Sequence, residues 1–237
     1  MSQSKIVDAG FIALLLLVAG GLIALAGPRL YAHGHTISAE HVLWNINQGT
    51  LQPGSSQVDR ARTAFLESSR LGVDSSYFLI REGASLITQL NSVEEGHLPQ
   101  SLSALRKTYT SAVGLRPMYG PAWPRLAMVS LRQEADPAEL NRLLTAAYII
   151  GPQDYRLRVM RVWVALRMWK DLSEDLRRNV RHDVRVLWGP RRRNDLADLY
   201  FQATFSQRVL LRSLMESERD AKNLGLLTQR LLDRGRL

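Results

Sequence analysis

Histidines near the start of the chain are the first residues whose types could hold a metal ion. His33, His35 and His41 lie close together, with Glu40 as the one carboxylate beside them. Imidazole nitrogens and carboxylate oxygens are common zinc ligands, but this spacing is poor for a zinc site. The other two histidines are isolated: His97 and His182. We therefore interpret the histidines as ordinary polar residues and expect neither a metal nor another cofactor.

Carboxylate pairs are the second group that could do chemistry, as a general acid with a general base. The pairs are Glu94-Glu95 and Glu174-Asp175. Adjacent residues on a helix point about 100° apart, so neither pair can flank a substrate bond. The sequence also has no glycine-rich phosphate loop, no Gly-x-Ser-x-Gly elbow and no dinucleotide fingerprint. With no cysteine for a thiolate site, we expect no catalytic residue and no enzyme.

The elements that carry these residues begin with an apolar segment. Ala9 to Ala26 is eighteen residues without a charge, which as a helix spans about 27 Å and just crosses a bilayer. A cleaved signal peptide is the alternative, because Ala24-Leu25-Ala26 before Gly27 is an acceptable cleavage site. The apolar stretch is longer than the roughly 7–15 residues of a signal-peptide core. The sequence therefore favours an uncleaved transmembrane anchor.

Charges beside this anchor predict its orientation. Lys5 and the free amino terminus lie on one side and Arg29 on the other, a bias that places the amino terminus in the cytoplasm. We expect a single-pass protein of a bacterial inner membrane with its body in the periplasm. The predicted organisation is a short head (1–8), the transmembrane anchor (9–26), a linker (27–37) and a helical-repeat domain (38–237).

The body of the chain is predicted to be all-α, since breakers separate helical patterns and no stretch alternates like a strand. The expected helices are Ser38–Gln48, Val58–Leu71, Ser75–Leu90, Leu98–Leu115, Pro121–Arg132, Pro137–Ile150, Tyr155–Trp169, Ser173–Trp188, Asp195–Leu214 and Ser217–Arg234. Ser173 is a typical N-cap, and Gly189-Pro190 is a typical stop after the same helix.

Small residues and prolines recur with a period in this body. Ala112 precedes Pro117 by five residues, as Ala147 precedes Pro152, and the two prolines are 35 positions apart. This pattern is typical of the second helix of a tetratricopeptide repeat, a 34-residue helical hairpin. We predict a degenerate tetratricopeptide-like array of three to five hairpins, stable only when neighbours cover one another. Such an array offers an exposed surface for binding.

A basic region provides the clearest candidate for that surface. The net charge is +9, and residues 155–193 carry 12 basic against 4 acidic side chains. Arg177, Arg181 and Arg185 repeat every four positions along one helix, and Arg191, Arg192 and Arg193 follow. The row is either a solvated face or a site for anionic lipid, an acidic polysaccharide or an acidic partner protein. We expect no nucleic acid, because no recognised binding motif accompanies the arginines.

The stretch from Val113 to Leu187 resembles membrane-anchored proteins encoded in bacterial exopolysaccharide clusters, of the Vps/Eps type. The residues that carry the resemblance are Arg116-Pro117-Met118-Tyr119-Gly120-Pro121-Ala122-Trp123-Pro124-Arg125-Leu126-Ala127, then Leu143-Leu144-Thr145-Ala146-Ala147-Tyr148-Ile149-Ile150-Gly151-Pro152, then Trp169 with Leu172-Ser173-Glu174-Asp175-Leu176-Arg177. The order, the spacing and the N-terminal anchor match. Where that family usually has Trp after the Gly-Pro pair, this chain has Gln153-Asp154-Tyr155.

The resemblance implies an accessory factor of polysaccharide synthesis or export, and it adds Tyr119 and Trp123 to the candidate partner-binding residues. We therefore expect a non-enzymatic scaffold that binds other membrane or periplasmic proteins. Two alternatives stay open: a protein that binds an anionic glycan, and a structural accessory subunit of another membrane complex.

Overall fold

The computed structural model describes residues 3–90 and 97–235, and every regular element within them is a helix. This confirms the all-α class. The elements are α1 (Gln3–Asn47), α2 (Ser56–Arg70), α3 (Ser75–Gln89), α4 (Leu98–Leu115), α5 (Ala122–Arg132), α6 (Pro137–Ile150), α7 (Tyr155–Arg167), a 3₁₀ turn (Trp169–Asp171), α8 (Glu174–Leu187), α9 (Arg193–Gln202), α10 (Phe205–Ser213) and α11 (Glu218–Asp233). The chain divides into two compact units, unit 1 (Met1–Ser101) and unit 2 (Leu102–Leu237).

Helix α1 is one uninterrupted helix that is long and apolar enough to cross a membrane. The large apolar side chains between Phe11 and Leu25 are exposed. Residues 27–37, which we expected to form a linker, are helical and continue α1. Pro28 removes only one backbone hydrogen bond from the helix. The expectation was wrong because the residues that follow Pro28 in α1 pack against α2 and α3. This packing outweighs the weak helix propensity of Pro28 and Gly34.

Unit 1 packs the second half of α1 against α2 and α3. Its core consists of Ala32, Ala39, Leu43, Ala61, Phe65 and Phe78. Small residues let α1 and α2 approach closely, since the Ser68 hydroxyl on α2 donates to the Ala32 carbonyl at 3.3 Å. Glu40 on α1 accepts hydrogen bonds from Tyr77 and Arg81 on α3. The residues after Pro28 therefore belong to the folded body.

Unit 2 is built by helices that pack on the next helix in the chain or on the next but one. Helix α5 packs on α6 and α7, α7 packs on α8, α6 packs on α8, and α9 packs on α11. The consecutive helices α5/α6 and α7/α8 each pack as a pair, and the sequence predicts an array of such pairs. Their assignment to the tetratricopeptide type stays a prediction.

The ends of several helices follow the expected capping chemistry. Asp136, Asp154 and Ser173 each accept a hydrogen bond from a backbone N–H in the first turn of α6, α7 and α8. These side chains satisfy donors that a helix leaves free at its start. The boundaries of α6 and the start of α7 lie where the sequence predicts them.

One predicted helix, Asp195–Leu214, is wrong because it is two helices, α9 and α10. Thr204 and Gln207 form a capping box that starts α10, and Arg208 donates to the carbonyls of Tyr200, Phe201 and Ala203 at the end of α9. The break is thus stabilised on both sides. The Thr-x-x-Gln pattern is its signature in the sequence.

The core of unit 1 can be tested at Phe65, which is fully buried. Phe65→Ala leaves a cavity and removes apolar contacts, which costs about 3–5 kcal/mol in protein cores. We expect faster amide hydrogen exchange in α1 beyond Ala32 and in α2, measured by mass spectrometry on the full chain in detergent. Leu71→Ala, at a half-exposed position just after α2, is the control and leaves exchange unchanged. Unchanged exchange in both variants contradicts the assigned core.

Candidate partner-binding surface

A buried ionic network in unit 2 is the arrangement of described residues that most resembles a reactive site. Asp183 on α8 receives Arg158 Nη1 at 3.1 Å and Arg161 Nε at 2.9 Å, both from α7. Arg161 Nη2 adds a third bond to the same carboxylate at 3.2 Å. All three side chains are almost completely buried. We call these three residues the Asp183 network. The network joins α7 to α8 through the core.

Carbonyl groups at the end of α6 balance the positive charge of Arg161, the second arginine of this network. Arg161 Nη1 donates to the Gly151 carbonyl at 2.7 Å and to the Ala147 carbonyl at 3.3 Å. Carbonyls at a helix C-terminus carry partial negative charge, which favours a cation there. The Arg161 guanidinium also lies 4.3 Å from the centre of the Tyr148 ring, a cation–π distance. Two arginines and one aspartate are thus compatible with burial.

The chemistry open to the Asp183 network is limited. The carboxylate already accepts three guanidinium hydrogen bonds, so it is held as a structural anion rather than presented to a substrate. Burial, followed by the negative charge of Asp183, raises the pKa of Tyr148 far above its ordinary value, which keeps the phenol neutral. A groove of about 370 Å³ passes beside Tyr148, His182 and Asp183. These features indicate that the network holds three elements together.

Exposed guanidinium groups on an indole ring form the feature best suited to binding a partner. Arg132, at the end of α5, and Arg167, at the end of α7, lie 5.8 and 3.5 Å from the centre of the Trp163 ring. Arg167 Nη1 also donates to the Trp163 carbonyl at 3.0 Å. We call these three residues the arginine–tryptophan patch.

The patch holds two like charges without a counter-ion among the residues that the structure describes, where neither arginine forms a salt bridge. Burial against its neighbours and repulsion from Arg132 lower the pKa of Arg167 to about 10, which leaves it protonated at neutral pH. An anion bound here relieves that repulsion and gains hydrogen bonds from both guanidinium groups. The geometry therefore favours an acidic ligand.

The predicted arginine row on α8 has a different environment. Arg177 is half-buried and donates to the carbonyls of Trp169 and Lys170 at 3.2 and 2.9 Å, so it also stabilises the 3₁₀ turn. Arg181 bonds to Glu174 at 3.1 Å. The hydrogen bond from Arg181 holds the pKa of Glu174 below its ordinary value. This part of the row is already paired with an acid of its own helix.

The other predicted arginines are spread over several environments. Arg185 forms a salt bridge with Glu216. Arg192 lies 3.4 Å from the centre of the Tyr155 ring and 3.9 Å from Asp195. The two remaining members are exposed: Arg191 and Arg193. The structure does not gather the six arginines into one site, and their binding role stays a prediction.

Tyr119 and Trp123 lie near the turn that joins α4 to α5. The Trp123 indole N–H donates to the Pro117 carbonyl at 2.7 Å, and the Arg116 guanidinium lies 5.6 Å from the centre of the Tyr119 ring. Trp123 thus stabilises the turn, and both side chains remain partly accessible to a partner.

Two histidines of α1 lie near carboxylates of neighbouring elements. His33 Nε2 lies 3.4 Å from Asp74, and His35 Nε2 lies 3.8 Å from Glu67. Within residues 3–90 and 97–235, no group of three or more metal-ligating side chains converges.

Sequence reasoning missed the arginine–tryptophan patch, since it named neither Trp163 nor Arg132 as a candidate binding residue. A signal was present in α7. Trp163 and Arg167 are four positions apart, which places them on the same face of a helix. Arg132 comes from another helix, so only the packing of α5 on α7 shows that it belongs to the patch.

Comparison with known proteins adds no relative to this description. The chain matches no family model, no curated protein and no solved structure.

The structural role of the Asp183 network can be tested by Asp183→Asn. Loss of the negative charge leaves two buried guanidinium groups uncompensated, and breaking a buried pair in this way costs about 3–5 kcal/mol. We expect a large fall in the free energy of unfolding of unit 2. Circular dichroism during a urea titration measures this change. Asp175→Asn removes an exposed partner of Arg178 and is expected to change stability by about 0.5 kcal/mol or less. Equal effects of the two substitutions contradict the structural assignment.

The repulsion within the patch predicts a particular salt dependence. Salt screens Arg132 from Arg167, so NaCl stabilises the native chain more than it stabilises Arg132→Gln. The difference is expected to be a few tenths of a kcal/mol between about 0.05 and 1 M NaCl, measured from urea unfolding midpoints. Arg178→Gln removes an attraction to Asp175 instead and shifts the salt dependence the opposite way. The same sign in both variants argues against repulsion in the patch.

Proposed function

We propose that this protein is a non-enzymatic, membrane-anchored scaffold that supports envelope polysaccharide synthesis or export. Its arginine–tryptophan patch binds an acidic surface of a partner protein. The observation that carries the proposal is the exposed pair of guanidinium groups on Trp163, which lacks a counter-ion among the described residues. Arginine and tryptophan are also the residue types enriched where protein interfaces gain most of their binding energy.

The membrane part of the proposal is supported by α1. Its apolar residues are exposed, and the helix is long enough to cross a bilayer. The charge bias between Lys5 and Arg29 supports a cytoplasmic amino terminus and a periplasmic body in a bacterial inner membrane. On that side the partner is another membrane or periplasmic protein.

The scaffold part is supported by how the ionisable groups of unit 2 are used. The hydrogen bonds of Asp183, Arg158 and Arg161 join helices to one another. Helices packed in succession leave long exposed faces, which serve binding. The link to polysaccharide rests on the resemblance of Val113–Leu187 to the exopolysaccharide-cluster proteins.

Paired charge reversals separate this proposal from general charge effects. The patch variant carries Arg132→Glu and Arg167→Glu. The control carries Arg178→Glu and Arg142→Glu, two exposed positions outside the patch and outside the predicted arginine row, so both variants have the same net charge. Each full-length chain is cross-linked in the membranes of its own cells and purified in mild detergent, and the cells' polysaccharide output is measured. We expect the patch variant to recover at least about tenfold less of a cross-linked envelope partner and to lower the polysaccharide output. The control is expected to leave the partner recovery and the polysaccharide output unchanged.

Three outcomes would count against the proposal in different ways. Partner recovery unchanged in the patch variant contradicts the assigned surface. Equal losses in both variants contradict its specificity. Polysaccharide output unaffected by deletion of the whole chain contradicts the assigned pathway and favours a subunit of another membrane complex.

A second candidate function is the binding of an anionic glycan. Arg177 and Arg181 both lie 5.8 Å from the centre of the Trp169 ring, which combines an aromatic face with positive charge. We expect charge reversal of Arg177, Arg181 and Arg185 to abolish the retention of polygalacturonate by the purified chain. Unchanged retention excludes this candidate.

A further inference from the structure

A row of large apolar side chains runs along one side of α1 at intervals of seven residues. Its members are Leu16, Ile23, Leu30, Ile37 and Trp44. Each of them is more than half exposed. Seven residues are close to two turns of an α-helix, so these side chains form one ridge along the helix.

A row of small residues runs beside this ridge with the same period. Its members lie three positions before each of the first four ridge residues: Ala13, Gly20, Gly27 and Gly34. A side-chain carbon added at any of these three glycines meets no atom of the chain within 4 Å. The glycines are therefore not required by packing within this chain, and they leave a flat strip along the ridge.

The opposite face of α1 is the one that packs inside unit 1. Ala32, Thr36, Ala39 and Leu43 are buried against α2 and α3. Ala32 and Ala39 are seven residues apart, and so are Thr36 and Leu43. Both pairs lie on the side of the helix that faces away from the ridge. The helix therefore has two apolar faces beyond Pro28, and only one of them is covered by its own unit.

The uncovered ridge continues past the segment that fits the bilayer. Trp44 lies eighteen residues beyond Ala26, or about 27 Å along the helix. Exposed apolar side chains are expected in lipid, but Ile37 and Trp44 are 60% and 59% exposed on the part of α1 that folds against α2 and α3. A groove of about 600 Å³ lies alongside them, with Tyr77 and Arg81 of α3 on its other wall. Both features leave an apolar surface on which another helix can pack.

We propose that the partner is a second copy of this chain, and that two α1 helices pair in parallel along the ridge and the glycine strip. A heptad repeat with two apolar positions is the pattern of a left-handed helix pair. The ridge of one helix fits over the glycine strip of the other, because small residues allow close approach. The surface is complementary to itself, as a twofold symmetric dimer requires.

The length of the ridge argues for a second copy over another protein. The occupant needs a helix that crosses the same bilayer and then continues in register for about 27 Å on the same side. A second copy inserted with the same orientation meets this condition automatically. The ridge and strip carry no lysine, arginine, aspartate or glutamate, so parallel pairing brings no like charges together.

The area available on the ridge approaches that of a standard interface between two proteins. Five large side chains, each more than half exposed, contribute roughly 100–150 Å² each, or about 600 Å² per chain, against the roughly 800 Å² per partner of a standard interface. The ridge alone therefore offers about three quarters of that standard area. This proposal rests on the membrane span of the proposed function, but it uses neither the arginine–tryptophan patch nor the link to polysaccharide, so it can fail or hold separately from them.

Cysteine cross-linking tests the pairing cleanly, since the native chain has no cysteine. Leu30→Cys and Ile37→Cys place a single thiol on the ridge of the full-length chain, while Arg29→Cys and His35→Cys place it one or two positions away around the helix. In native membranes treated with an oxidant, we expect the ridge thiols to form disulfide-linked dimers about tenfold more than the controls, because a disulfide needs Cα atoms within about 7 Å. Equal or absent cross-linking at all four positions overturns the proposal.

A matched pair of glycine substitutions tests the strip. Gly20→Leu fills the strip, whereas Gly21→Leu adds the same side chain at the next position, and neither glycine has an atom of the chain near its added carbon. In the Ile37→Cys background, we expect Gly20→Leu to reduce the dimer about tenfold and Gly21→Leu to leave it unchanged. Equal amounts of membrane-inserted chain show that both variants reach the membrane. Cross-linking that is insensitive to Gly20→Leu, or equally sensitive to both, contradicts the proposed interface.

Discussion

The buried contact of Asp183 with Arg158 and Arg161 is the constraint on which the arrangement of unit 2 depends. Removing three charged groups from water is costly unless each finds its hydrogen bonds. Here those bonds come from three places at once: α7, α8 and the carbonyl end of α6. The relative positions of these helices are therefore fixed by polar geometry as well as by apolar packing, which tolerates small shifts more easily.

This constraint also determines which arginines can meet a partner. Counting charges along the sequence treats every basic residue between 155 and 193 as part of one surface. The structure divides them into buried residues that hold helices together, exposed residues paired with an acid such as Glu174 or Glu216, and a few without such a partner. Affinity for an anion depends on the last group, because a paired arginine must lose one interaction to gain another. Arg167, fixed on Trp163 beside Arg132, belongs to that group.

The sequence predicts most helices because their ends carry local signals. Asp136 and Ser173 mark their helices through hydrogen bonds within a few residues, which a local pattern can reveal. The helical 27–37 segment depends on burial of Ala32 against α2 and α3, which no local pattern contains. The Asp183 network is an intermediate case. Arg161 lies on the apolar stripe of α7 and Asp183 on that of α8, so opposite charges at inward positions of neighbouring helices were a readable sign of a buried pair.

The continuity of α1 ties the apolar segment 9–26 to the folded body more tightly than a flexible linker does. A linker lets a domain move and rotate freely, whereas a helix transmits both its direction and its rotation about its own axis. If residues 9–26 cross the bilayer, Ala32 lies about 9 Å beyond the last of them, and it is already buried against unit 1. Unit 1 is then held at the membrane surface with one face of α1 against α2 and α3. The opposite face of α1 points away from α2 and α3, so the row from Leu16 to Trp44 remains accessible for the proposed helix pair both within the bilayer and beyond it.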